Sequence, residues 1–244
     1  MNPEILYPLA AGIFFIAVLY SAVGHAGASG YIAVMSLLSV APEVIKPTAL
    51  ALNILVACIA TWQFAKAGHF AWRLFLPFAL PAIPFAFFGG YINLPTAIFK
   101  IVLGLVLLYS AVRFVSPPQV EQEPTSPPLW IALPCGCGIG FLAGLTGTGG
   151  GIFLTPLLLT MGWARTKSAA AVSALFILVN SISGLLGNLS STANLPSDLP
   201  LLLGIAACGG FFGSYFGSSR LPAQTVRRLL ALVLLIAGLK LIMA

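Results

Sequence analysis

Ten apolar stretches follow one another along the chain with little polar sequence between them. They cover about 6–23, 28–40, 47–65, 74–92, 97–115, 129–143, 150–161, 168–187, 199–217 and 225–243. A helix that crosses a bilayer needs about 20 apolar residues, and most of these stretches approach that length. The second and seventh are too short for a full crossing, and each follows a Gly-rich break. Between the fifth and sixth lies Ser116 to Pro128, which is polar, Pro-rich and carries Glu121 and Glu123. That composition predicts an extended linker. The expected fold is therefore an all-α polytopic membrane protein with halves at 1–115 and 129–244, joined by a cytoplasmic linker at 116–128.

The halves repeat. At an offset of 120 positions, Gly24, Gly27 and Gly30 fall on Gly144, Gly147 and Gly150, and Leu37-Leu38 fall on Leu157-Leu158. After small insertions Phe87-Phe88-Gly89 matches Phe211-Phe212-Gly213, and Tyr91 matches Tyr215. Leu94-Pro95 then matches Leu221-Pro222, Lys100 matches Arg227, and Arg113 matches Lys240. Many transporters are built from such internal duplications.

Composition narrows the class. The chain has 244 residues, 59% hydrophobic and 7% charged, against about 25% charged in a soluble domain. A soluble protein is excluded, and so is disorder, because the apolar surface is too large to leave in water. The net charge of +6 comes from single, scattered Lys and Arg around the apolar runs, so it reads as topology and not as a nucleic-acid surface. No Lys or Arg precedes Lys46, so the first stretch is read as part of the mature protein and not as a signal peptide.

Lys66 and Arg73 place the third-to-fourth loop in the cytoplasm, and Arg165 and Lys167 make the eighth segment start there. Arg220, Arg227 and Arg228 place the ninth-to-tenth turn inside as well, while 188–200 has no Lys or Arg and falls outside. Lys46, Lys100 and Lys240 do not follow this pattern. Equivalent third and eighth segments then run in opposite directions. The expected architecture is two inverted repeats, each a broken or re-entrant helix pair plus three spanning helices, with both termini external.

The strongest chemical feature is the pair of breaks. Gly24, His25, Gly27, Ser29 and Gly30 form the first; Thr146, Gly147, Thr148, Gly149, Gly150 and Gly151 lie in the second. Glycine at this density unwinds a helix, and unwound backbone in a membrane must be buried or line a cavity. The short helices that follow would aim their N-terminal N–H groups at that cavity. Two such ends make an anion site without a buried Arg or Lys. The plainer reading is close helix packing through small residues.

All five acids, Glu4, Glu43, Glu121, Glu123 and Asp198, fall in loops or at segment ends. An intramembrane carboxylate for cation or proton coupling is not expected. His25 could contact an anion, relay a proton, or bond an unwound carbonyl; His69 belongs to a solvated loop. Asn53 and Asn180 either join helices or face the substrate, because an amide in hydrocarbon needs a partner. Thr48, Thr146, Thr148 and Ser173 are candidate hydroxyl donors, though such groups also bond back to their own helix. Cys58, Cys135, Cys137 and Cys208 lie in apolar segments, where small buried packing residues are expected and no zinc site is. Trp62, Trp72, Trp130 and Trp163 sit near segment ends, as in an interfacial aromatic belt.

The second break, Gly147-Thr148-Gly149-Gly150-Gly151-Ile152-Phe153-Leu154-Thr155-Pro156, resembles the glycine-rich motif of the sulfite exporter TauE/SafE family of membrane permeases. The first copy, Gly27 to Val34, is interrupted by Ala28 and Ser29 and has no following Pro. The stretches Lys46 to Asn53 and Gly68 to Leu74 are similar to the same family. The resemblance covers nearly the whole chain. It implies a permease of sulfite, organosulfonates or related sulfur-containing anions in a bacterial inner membrane. The expected partners are such an anion and the lipid bilayer, with a homodimer left open, and neither a cofactor, a metal nor nucleic acid. Alternatives are an anion channel, a non-transporting scaffold, or an intramembrane serine protease using Gly27-Ala28-Ser29-Gly30 with His25.

Overall fold

The computed structural model describes residues 3–92 and 123–220 without a break, with scattered residues between 98 and 112 and between 222 and 239. The fifth and tenth expected segments, linker residues 116–122, and Lys100 and Lys240 lie outside the continuously described residues. Among the described residues there are eight α-helices and no strand. They are α1 (Pro3–Ser21), α2 (Ala28–Leu37), α3 (Pro42–Lys66), α4 (Trp72–Tyr91), α5 (Leu129–Thr146), α6 (Gly151–Thr160), α7 (Thr166–Gly187) and α8 (Leu199–Ser219). All but α2 and α6 are long and apolar enough to cross a membrane. Those two have 10 residues each, about 15 Å at the helical rise, half a hydrocarbon core.

The helices form two bundles around two cores. The first core is drawn chiefly from α1, α2, α3 and α8, with Leu9, Ile13, Tyr31, Leu52 and Leu202, and it takes in Ile152 of α6 and Ile177 of α7. The second is drawn from α4, α5, α6 and α7, with Phe78, Leu154, Leu158 and Phe176. Each half of the sequence thus lends its last continuously described helix to the other bundle. The packing is reciprocal: α1 lies on α8 as α5 lies on α4, and α3 lies on α8 as α7 lies on α4.

Glycines make the outer pairs close. Gly136, Gly140 and Gly144 of α5 meet the backbone of Phe78, Ala82 and Ala86, so a Cβ at any of them would strike a carbonyl. Gly209 and Gly213 of α8 meet Phe14 and Val18 of α1, and Gly217 meets Ala22 just past its end, in the same way. Small residues four apart allow backbones to approach where no hydrophobic force drives helix association.

Helices α3 and α7 join the bundles. Leu50 lies by Gly184, Asn53 bonds Ser181, and Phe64 clusters with Ala170 and Ala171. As residue numbers rise on α3 they fall on α7, so the two run antiparallel.

Three expectations need correction. Lys46, 9% exposed, lies inside α3 and is buried; a hydropathy boundary at 47 cannot see that neighbouring helices supply carbonyls to an ammonium. Cys58 and Cys208 are on the outer surface and Cys135 and Cys137 are half-buried, because apolar composition does not distinguish a lipid-facing position from a packed one. Trp62, Trp72 and Trp130 are exposed at helix ends, but Trp163 is buried against Phe78.

Candidate functional site

Each break is a turn at which a helix ends and a short one begins. Gly27 precedes α2 at φ +106° and Gly150 precedes α6 at φ +84°. Both are left-handed positions that L side chains rarely adopt. The turn therefore depends on glycine there, and at the first break it leaves the opening amide of α2 to a side-chain partner.

Asn53 of α3 supplies that partner and also bonds the second break. Its Oδ1 accepts a hydrogen bond from Ala28 N, the first amide of α2, at 3.0 Å. Its Nδ2 donates to the Thr148 carbonyl at 3.3 Å and to Ser181 Oγ at 3.1 Å. One buried amide therefore ties the start of α2, the second break and α7 together. Gly149 fits between Asn53 and Ser181; a Cβ there would lie 2.8 Å from both polar groups.

His25 links the breaks from the other side. Its Nε2 is 2.9 Å from the carbonyl of Gly151, the first residue of α6, and 3.0 Å from Thr155 Oγ1. Thr155 Oγ1 is in turn 2.7 Å from Ser173 Oγ on α7. All three side chains are buried. A donor from Nε2 to the carbonyl fixes one tautomer; the hydroxyls of Thr155 and Ser173 can turn to suit either.

The structure thus brings together His25, Asn53, Thr148, Gly149, Gly151 and Ser173. Gly24 packs on the Ala170 backbone, Gly27 and Gly30 on Ile16, Gly147 on Lys46 and Gly150 on Phe176. Thr146 bonds back to the Leu142 carbonyl at 2.7 Å and meets Thr148 Oγ1 at 2.9 Å. Two candidates stay apart from this network. Asn180 donates to Phe176 O on its own helix and leaves Oδ1 without a partner. Thr48 is fully buried with an unpartnered hydroxyl.

Ser29 Oγ donates to the Tyr20 hydroxyl at 3.2 Å, while His25 Nε2 faces Gly151 and Thr155. The nucleophile–base contact that a Ser–His dyad requires is not made. Among the described residues no group of His, Cys, Asp and Glu could hold a metal ion.

Thr155, Ser181 and Lys46 were not singled out from the sequence. Thr155 stands four residues after Gly151, on the same face of α6, and that spacing was the available signal. Ser181 offered none, since a Ser in an apolar helix usually bonds its own backbone.

Over residues 9–241 the chain matches the sulfite exporter TauE/SafE family. It belongs to that family. The "Probable membrane transporter protein y4hK" of Sinorhizobium fredii is 44% identical over 239 residues, covering 96% of this chain and 97% of that protein. A probable membrane transporter protein of Methanocaldococcus jannaschii is 28% identical over 137 residues, 54% of this chain and 51% of its own. One of Haemophilus influenzae is 34% identical over 110 residues, 40% of each chain. No solved structure matches. The chain is a multi-pass membrane transporter of the TauE/SafE family, and its glycine breaks are where this member brings distant polar groups together.

Proposed function

We propose that this TauE/SafE member is a secondary transporter that exports a small anion such as sulfite, an organosulfonate or a related sulfur-containing anion. The anion binds between the two glycine breaks near the midplane, at the N-terminal ends of α2 and α6. The observation that carries this reading is the Asn53 bridge. A single side chain spans the first amide of α2 and the carbonyl of Thr148, so the start of α2 and the break that precedes α6 lie within one amide's reach of each other. On this reading the anion meets the partial positive ends of the two short helices and the neutral donors around them, with no carboxylate among the residues just described.

The halves act as inverted repeats. The antiparallel crossing of α3 and α7 and the reciprocal packing of the outer helices support this. The two bundles move against each other to expose the site to one face and then the other. The protein lies in a bacterial inner membrane with both termini in the periplasm. Lys46, which stands outside the positive-inside pattern, fits this orientation because it is bound within the protein and is not a loop charge. The mechanism is binding and release, with no covalent step.

Counterflow of radiolabelled sulfite or a sulfonate into proteoliposomes tests the proposal. Saturable exchange of at least one such anion is expected; its absence for every small anion, with folded protein, overturns the reading. Currents far above carrier turnover would replace the carrier with a channel.

A further inference from the structure

A carrier of this kind must close each membrane face in turn. Two lysines stand where such closure would be made. Lys46 lies in the first turns of α3 and Lys167 in the first turn of α7, related within one position by the offset that relates the glycine breaks. Lys46 belongs to the first bundle but reaches the end of α4 in the second: its Nζ donates to the carbonyls of Gly90 at 3.1 Å and Ile92 at 3.2 Å. Lys167 belongs to the second bundle but reaches the end of α8 in the first, donating to the Ser218 carbonyl at 3.1 Å. Helix C-termini offer unpaired carbonyls and the negative end of the macrodipole, so an ammonium is well placed at each.

The two clasps lie at opposite ends of the α3–α7 seam. Phe64 clusters with Ala170, and Lys167 is one turn before Ala170, level with the end of α3. Lys46 is about 21 residues away along that axis, or about 30 Å at the helical rise, the hydrocarbon thickness of a bilayer. Each clasp also adjoins a break of the other half. A Cβ at Gly147 would meet Lys46 Cγ at 3.0 Å, and Gly24 rests on the backbone of Ala170.

We propose that Lys46 and Lys167 are a matched pair of gate residues, one for each face. Each closes its face by clasping a helix end of the opposite bundle. Each, on opening, exchanges those carbonyls for the entering anion. This rests on the alternating-access reading above and adds the residues that hold each side shut. Opening strips buried Lys46 and half-buried Lys167 of carbonyl acceptors, a loss greatest for Lys46, and an anion at the neighbouring break restores a partner. The gate therefore opens most readily toward the charge it carries.

The test uses side-specific labelling of Thr148→Cys in a chain whose four native cysteines are replaced by alanine, with a membrane-impermeant maleimide in right-side-out and inside-out vesicles. Lys46→Met is expected to raise labelling about tenfold from the periplasmic face only, and Lys167→Met from the cytoplasmic face only, from the loss of charge-assisted hydrogen bonds. Lys→Arg at either position keeps donors and charge and is expected to keep the wild-type protection. Lys→Gln, which keeps one N–H donor, covers the case in which the methionine variants do not fold, with smaller gains on the same faces. A merely structural cap would not give opposite sidedness. No change, a gain on the same face for both, or arginine variants that label like methionine overturns the gates. Sulfite counterflow by the wild type separates the failures. Intact flux with unmoved labelling defeats the gates alone. Sided labelling without flux of any small anion defeats the anion reading and leaves the gates.

Discussion

Replacing Asn53 with Ala removes one amide and three hydrogen bonds at once. Ala28 N–H, the Thr148 carbonyl and Ser181 Oγ all lose a partner inside a fully buried region. Side-chain hydrogen bonds in membrane proteins average about 0.6 kcal/mol and reach about 1.7. The contact to Thr148 O, at 3.3 Å, is just beyond the usual range and contributes least. Leaving a buried backbone group bare adds about 1–3 kcal/mol. The sum is about 2–4 kcal/mol, a loss readily measured by equilibrium unfolding in mixed SDS micelles followed by tryptophan fluorescence. Asn53→Asp keeps an acceptor for Ala28 N but loses the donor and places a negative charge where the anion is proposed to bind, so its transport should fall below that of Asn53→Ala relative to folded protein. Asn180→Leu is the matched control, because Asn180 bonds only its own helix, and it should lose less than about 1 kcal/mol. An Asn53→Ala variant within about 0.5 kcal/mol of wild type, or equal to Asn180→Leu, would refute the bridge as a structural tie between the breaks.

Gly140→Ala should destabilise by about 1–3 kcal/mol through overpacking, since its Cβ would strike the Ala82 carbonyl, whereas Gly138→Ala, with open space around it, should be neutral or more stable by up to about 1 kcal/mol; thermal unfolding compares the two. Thr48→Val replaces a buried, unpartnered hydroxyl by a methyl and should match or exceed wild-type stability by about 1 kcal/mol. If its counterflow also equals wild type, Thr48 is not a substrate ligand. His25→Ala leaves the Gly151 carbonyl and the Thr155–Ser173 pair without their link to the first break; counterflow should drop severalfold more than in Thr155→Val, and equal losses would put the function in the hydroxyl pair.

The breaks were legible because glycine acts locally. Positive φ is a property of one residue, and the spacing that pairs Gly27 with Gly147 marks a left-handed glycine in each break. The short α2 and α6 followed from segment length alone. What stayed hidden depends on residues far apart in the chain. Nothing near Asn53 announces that its amide meets Ala28, Thr148 and Ser181. Lys46 was excluded from the core because one charge ends an apolar window, yet Gly90 and Ile92 turn carbonyls toward it. Cys58 and Cys208 face outward although their sequence surroundings match those of packed residues, because lipid and protein interior are equally apolar and hydropathy does not tell one side of a membrane helix from the other. Trp163 looked like its three exposed counterparts because position near a helix end does not reveal that Phe78 covers it.

The packing also bears on how such a protein moves. Within each bundle the helices are locked by glycine-to-carbonyl contacts, and by bonds such as Gln63 to Phe211 O and Ser183 to Ile83 O. Between the bundles the α3–α7 seam brings Phe64 onto Ala170 and Ala171 and Leu50 beside Gly184. The side-chain bonds that cross it include those of Lys46, Asn53, His25 and Lys167. At about 0.6 kcal/mol each, breaking a few of these is a small barrier beside the loss of a glycine-packed helix pair. On the proposed mechanism the bundles move as units and the α3–α7 seam is where they part. In this structure both lysine clasps are made and the polar groups at the breaks are buried. On the proposed mechanism this is the occluded state, from which an anion leaves only after one clasp yields.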